Sequence, residues 1–191
     1  MSGDRASAVA ATLREAAHLH ETAARESAGS VAAAVETLSA ALGSGGKVLI
    51  FGNGGSAADA QHFACELVGR FLRERQALAA IALTTDASTM TAVANDYGFD
   101  RVFVRQIEAL GIRGDLAFGI STSGRSTNVV EGLRAARARG LTTIALTGRD
   151  GGPAGALADI HINVPDPSTA RIQEAHRTLI HAICELVERE L

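Results

Sequence analysis

The sequence has no tryptophan, one tyrosine and six phenylalanines, so aromatic residues make up only 4% of its 191 positions. Its formal net charge is −3. Nucleic-acid binding rests on a basic footprint for phosphate backbones and on rings for stacking bases, and both are missing. No apolar run reaches the length of a bilayer span. The first twenty residues carry Asp4, Arg5, Arg14 and Glu15 and no continuous apolar core. A soluble, cytoplasmic protein is expected, with neither nucleic acid nor membrane as partner. Cysteine is also scarce: Cys65 and Cys184 both fall in helical patterns, which predicts reduced, buried thiols.

What is present is material for a core. With 47% hydrophobic and 20% charged residues, the chain reads as one globular domain over residues 1–191. Residues 1–42 form a helical extension in which Val31, Val35, Leu38 and Leu42 fill one face and Gly29 marks a break. From residue 46 short β-branched runs, "KVLIFG", "LAAIALTT", "LAFGIS", "TTIALTG" and "IHINV", alternate with segments long enough to be crossover helices. One such segment is "STMTAVANDYGFDRVFVRQIEALG". That alternation predicts an α/β fold with a parallel sheet, with the leading helices packed on the sheet or on a partner subunit.

Two loops carry the chemistry. After "KVLIFG" come Asn53, Gly54 and Gly55, which permit positive backbone dihedrals, and then Ser56, an N-cap residue for the next helix. Amides at such a helix start suit an anion or polar oxygens. The second loop, "LAFGISTSGRSTNVV", repeats the strand, glycine loop and helix and adds hydroxyls at Ser121, Thr122, Ser123 and Ser126. Capping accounts for one or two hydroxyls, not four within six residues. Hydroxyls and amides coordinate a phosphate monoester without lysine, and the Gly-Lys-Ser/Thr ending of a nucleotide P-loop is missing. A dinucleotide site is the rival, since Gly52, Gly54 and Ala57 fit its glycine pattern and Asp86 follows the next strand. It leaves the hydroxyl cluster unexplained.

On the helix after the first loop, Ala60, Phe63, Leu67 and Phe71 form an apolar stripe, and His62 and Glu66 project to the opposite side. A solvated i, i+4 pair is the bland alternative. On the last helix Ile172, Leu179, Ile183 and Leu186 mark the packing face with His176 among them, while Gln173 and His181 lie on its flank, two turns apart.

"GNGGSAADAQHFACEL", "TAVANDYGFD", "ISTSGRS", "ALTGRDGG" and "ARIQEAHRTLIHAICELVE" together resemble the phosphoheptose isomerases of the sugar isomerase (SIS) family, over essentially residues 30–190. The resemblance implies a flavodoxin-like, five-stranded parallel sheet flanked by helices and a homotetramer with sites between subunits. It implies conversion of sedoheptulose 7-phosphate to D-glycero-D-manno-heptose 7-phosphate through an enediol, the first step towards activated heptoses. It assigns the sugar phosphate to Asn53, Gly54, Gly55, Ser56, Glu66, Asn95, Asp96, Ser121, Thr122, Ser123, Ser126 and Gln173. It assigns acid–base work to Glu66 and His181, and one zinc per subunit to His62, Glu66, Gln173 and His181. Departures stand at Arg125, where many relatives have Asn, and at Ala170, where some are acidic; both bear on specificity. Two alternatives remain open: an isomerase of another phosphosugar, and a non-catalytic relative binding the bacterial replication initiator. Such relatives lose the acidic residue at the Glu66 position.

Overall fold

The computed structural model describes residues 2–191. Helices α1 (Ser2–Glu26) and α2 (Ala28–Gly43) lead into an alternating series. In chain order it is β1 (Val48–Gly52), α3 (Gly55–Val68), β2 (Ala80–Ala82), α4 (Ala87–Tyr97), α5 (Val102–Leu110), β3 (Leu116–Ser121), α6 (Thr127–Ala138), β4 (Thr142–Gly148), α7 (Gly152–Leu157), β5 (Ile160–Val164) and α8 (Thr169–Glu190). All neighbouring strands run parallel, in the order β2-β1-β3-β4-β5. This is the flavodoxin-like order that the resemblance implied. Its strand order reverses beside β1 and β3, which places a crevice at their carboxyl ends.

The strands alternate sides with a period of two, and each side builds its own core. Val48 and Ile50 of β1, Leu116, Phe118 and Ile120 of β3, Ile144 and Leu146 of β4 and Ile162 of β5 face α2, α3 and α8. Leu49, Phe51, Ala117 and Ala145 point the other way, onto α5, α6 and α7. Burial on both faces explains why these runs read as continuously apolar rather than alternating. The face of α2 predicted from Val31, Val35, Leu38 and Leu42 is buried as expected. Leu19 of α1 packs with Ile172 and Ala175 of α8 and Val164 of β5.

Several local expectations need correction. The N-terminal helices part at Ser27, not Gly29: Ser27 is buried and its hydroxyl donates to the Asn163 carbonyl at 2.7 Å, a tertiary bond that decides where the chain bends. The long segment expected as one crossover helix is interrupted at Gly98 and by a 3-10 turn over Phe99–Arg101. Ser56 does not cap α3. Gly54, with φ +54, occupies the cap and Ser56 is drawn into the first turn, where it is buried. Phe71 lies beyond the end of α3 yet still packs against the core. Asp86 caps α4, accepting from the Thr89 amide at 3.1 Å and hydroxyl at 2.7 Å, so the acid a dinucleotide site would use is engaged in the fold. Among the described residues no helix is long and apolar enough to cross a membrane.

Candidate active site

The two glycine loops meet at the crevice. Asn53 and Asn128 exchange amide hydrogen bonds, each at 2.8 Å, and tie the β1–α3 loop to the start of α6. Between the loops lies a cavity of about 280 Å³ lined by Asn53, Gly54, Gly55, Ser56, Ser121, Thr122 and Ser126, with Thr169 and Gln173 reaching in from α8. Gly55 leaves room there for Gln173: a Cβ on it would stand 2.2 Å from the Gln173 amide nitrogen and push that side chain aside. The Ser121 and Ser126 hydroxyls are 3.1 Å apart. Ser126 sits at the N-cap of α6 without using its side chain as a cap, which leaves the hydroxyl available to a ligand. The cavity thus gathers hydroxyls and two helix N-termini and no side chain bearing a charge, a lining suited to a phosphate monoester.

Seven residues along α3 from Gly55, about 10 Å at helical rise, stands a second group. His62 Nε2 lies 2.7 Å from His181 Nε2 and 3.5 Å from Glu66 Oε1. Cys65 Sγ lies 4.0 Å from Glu66 Oε1, and the ligating atoms of His62, Cys65 and Glu66 all fall within 4.8 Å of one another. The Phe71 ring closes one side, its centroid 5.3 Å from that of His181. His62 and Glu66 are therefore a partly shielded cluster with a long-range partner, not the solvated pair of the bland alternative. Burial, then the nearby Arg177 guanidinium, lowers the His62 pKa. Partial burial of the sulfur and the Glu66 carboxylate push the Cys65 thiol up.

Between the cavity and this cluster runs an ion pair that sequence reasoning missed. Arg177 donates through Nε to Asp59 Oδ1 at 2.8 Å and approaches the same oxygen through Nη2 at 2.5 Å. Burial raises the Asp59 pKa and Arg177 opposes the rise. The available signal was helical spacing: Asp59 precedes His62 by three residues and Arg177 precedes His181 by four. Both residues also line a groove of about 680 Å³ between α1, α3 and α8, which adjoins the smaller cavity at Gly55 and Gln173.

Not every expected site residue converges. Ser123 accepts from the Arg125 amide at 3.1 Å and does not line the cavity. Asn95 and Asp96 are exposed on α4 and bond to each other at 2.8 Å. Gln173 lies at the N-terminal end of α3, and His181 eight residues further along α8. Cys65 is exposed, against expectation, because it shares the outward side of α3 with Glu66. Cys184 is buried as expected, and that burial pushes its thiol up to about 12. Thr169 was also missed, since a single threonine at a helix start carries no signal of its own. Arg125 pairs with Asp150 at 2.5 Å on the surface.

A family model described as the SIS domain matches residues 13–148. The chain belongs to the SIS-domain family. It is similar to the phosphoheptose isomerase of Geobacter sulfurreducens, 54% identical over 183 residues that cover 96% of this chain and 97% of that one. Its fold matches the solved phosphoheptose isomerase of Neisseria gonorrhoeae, with TM-score 0.91 and 48% identity, covering 99% and 100% of the two chains. The solved phosphoheptose isomerase of Francisella tularensis matches with TM-score 0.93 and 36% identity, covering 99% of each. The SIS-domain match begins within α1 and ends with β4, so α8, which bounds the large groove, lies beyond the matched region.

Proposed function

We propose that this chain is a cytoplasmic aldose–ketose isomerase of a phosphorylated heptose, interconverting sedoheptulose 7-phosphate and D-glycero-D-manno-heptose 7-phosphate. The observation that carries the reading is the pairing, within one short reach, of a hydroxyl-lined cavity with a His62–Glu66–His181 cluster. The family membership and the near full-length similarity to phosphoheptose isomerases support it.

The phosphate sits among Ser121, Thr122 and Ser126 and the amides of Gly54, Gly55 and Ser56, with Ser123 and Asn53 completing the loops. Gln173 holds the sugar where α8 crosses Gly55. Binding at the phosphate is remote from the reacting carbons, so it positions the chain and helps to offset the cost of distortion there. Glu66 and His181 form the acid–base pair. One removes the carbon-bound proton beside the carbonyl, the enediol forms, and a proton returns to the neighbouring carbon.

His62, Glu66 and His181 are ordinary zinc donors, and His62 stands 3.5 Å from Glu66 and 2.7 Å from His181, so the donor chemistry present fits the metal the resemblance implies. When bound, zinc would polarise the carbonyl and stabilise developing negative charge. Gln173 is the weakest of the four implied ligands, because its amide lies against Gly55; that position supports its role towards the sugar. Asn95 and Asp96, exposed on a helix that buries no side chain, support a site completed between subunits of a homotetramer. Light scattering on active protein tests the assembly, and a monomeric mass would overturn it.

The test of function is incubation with sedoheptulose 7-phosphate and separation of ketose from aldose, with fructose 6-phosphate and ribulose 5-phosphate as controls. Preferential turnover of the heptulose phosphate is expected. Turnover of a control alone, or of none, would overturn the assignment.

A further inference from the structure

The segment between α3 and β2, residues 69–79, has neither helix nor strand, yet two buried charges hold it and the end of α3 in one arrangement. Arg75 and Glu188 form an ion pair, Nε to Oε1 at 3.2 Å, with their side chains only 7% and 1% exposed. The Arg75 guanidinium donates through Nη2 to the Glu66 carbonyl at 2.7 Å and through Nη1 to the Leu67 carbonyl at 2.8 Å. The Glu188 carboxylate accepts from the amides of Phe71, Leu72 and Arg73 at 2.6, 2.8 and 3.0 Å. We propose that Arg75 is a positioning residue for the isomerase reaction: with Glu188 it fixes the last turn of α3, which carries Glu66, and the Phe71 ring beside His181. The proposal rests on the reading that Glu66 and His181 are the acid–base pair.

The final carbonyls of a helix find no partner within it. In α3 those of Glu66 and Leu67 are among them, and both go to one guanidinium. A cation there also suits the negative end of the helix dipole, and a lysine ammonium does not reproduce the planar fork. Without the fork the last turn loses what ties it down, and Glu66, whose Oε1 stands 3.5 Å from His62 Nε2, moves with it. Glu188 follows His181 by seven residues, two turns on, and so lies on the same side of α8. By holding the Phe71 amide it keeps that ring 5.3 Å from the His181 ring, centroid to centroid. One pair of charges thus supports both members of the acid–base pair from behind. The hydroxyl-lined cavity lies at the other end of α3, at Gly55 and Ser56. Loosening the clamp therefore displaces the reacting groups and spares phosphate binding.

Arg75→Lys keeps a positive charge for Glu188 and removes the fork. With sedoheptulose 7-phosphate, kcat per folded molecule should fall by about 10- to 100-fold, as for reacting groups displaced by about an ångström, while KM changes by less than about threefold. The folded fraction is taken from circular dichroism. Leu38→Ala, which opens a cavity in the core under α2, controls for lost stability alone and should keep the parental kcat per folded molecule. A parental kcat in Arg75→Lys, a rise in KM without a fall in kcat, or an equal fall in kcat in Leu38→Ala would overturn the positioning role. The parent supplies a measurement that needs no variant to fold. Its Phe71, Leu72 and Arg73 amides should resist hydrogen exchange although Leu72 and Arg73 are exposed, and exchange at the rate of an open chain would overturn the clamp. Parental turnover of sedoheptulose 7-phosphate tests the underlying reading separately. Its absence would overturn that reading and the proposal with it, whereas parental turnover with an unimpaired Arg75→Lys would overturn the proposal alone.

Discussion

His176 offers a measurement of what the core of this fold tolerates. Its ring is fully buried on α8, Nε2 donates to the Thr147 carbonyl at 2.9 Å, and Nδ1 is buried with no hydrogen-bond partner. Adding a proton at Nδ1 would place a cation where nothing accepts its hydrogen, so burial depresses the pKa from 6.5 to about 4. In the unfolded chain His176 takes up its proton near 6.5, whereas the native state refuses it until about pH 4. Between those values the unfolded state binds more protons, and stability falls as the pH is lowered. Integrating the two titrations from pH 7 to pH 5 gives a loss of about 2 kcal/mol from this residue alone, or about 4–8 °C in Tm for a chain of this size. His176→Gln keeps an amide nitrogen able to donate to Thr147 and removes the titration. Urea unfolding of parent and variant at pH 7 and pH 5 isolates the term, because every other ionisable group is shared. The parent should lose about 2 kcal/mol more than the variant across that interval. Equal losses would refute the argument that a neutral, half-satisfied imidazole is enforced by the core.

Three further outcomes follow from the site and its supports. Glu66→Gln keeps size and hydrogen bonding but removes the base, so kcat should fall by roughly 10² or more while substrate still binds; near-parental turnover would return Glu66 to an ordinary surface role. Ser121→Ala with Ser126→Ala removes two hydroxyls from a charged ligand, and KM should rise by about 10- to 100-fold with little change in thermal stability; an unchanged KM would detach the phosphate from this loop. Glu188→Ala deprives three backbone amides, at Phe71, Leu72 and Arg73, of their acceptor and takes from the Arg75 guanidinium its carboxylate partner, leaving it only backbone carbonyls. A loss of about 3–5 kcal/mol is expected in urea unfolding, and a cost below about 1 kcal/mol would contradict it.

The sheet was legible because doubly buried strands leave a plain mark: apolar runs such as "KVLIFG" and "TTIALTG" separated by helical lengths. The N-terminal break at Ser27 was not, because a hydroxyl bonding to a carbonyl 136 residues away outweighed the local preference of Gly29. Ser56 misled in the same way, since a residue suited to capping was displaced by the positive φ of Gly54. Within the site, His62 and Glu66 were visible through their spacing. Their approach to His181, and the Asp59–Arg177 pair beside them, depend on how α3 and α8 lie against one another, which helical periodicity does not encode. Cys65 shows the limit of a residue-type rule: cysteine is usually buried, but its place next to Glu66 on α3 turns it outward.

The distance in sequence between the paired histidines has a consequence in time. His62 and His181 are separated by 119 residues, and at 5–20 residues per second a ribosome takes about 6–24 s to travel from one codon to the other. Throughout that interval β1, α3 and β3 can emerge and pair, but Ile180, Ile183, Cys184 and Val187, which cover the same face of the sheet, do not yet exist. The nascent domain must therefore carry an uncovered apolar face, and the imidazole of His62 lacks its partner until the last helix docks. The His62–His181 pairing arrives with that docking, as one late event shared by the core and the site.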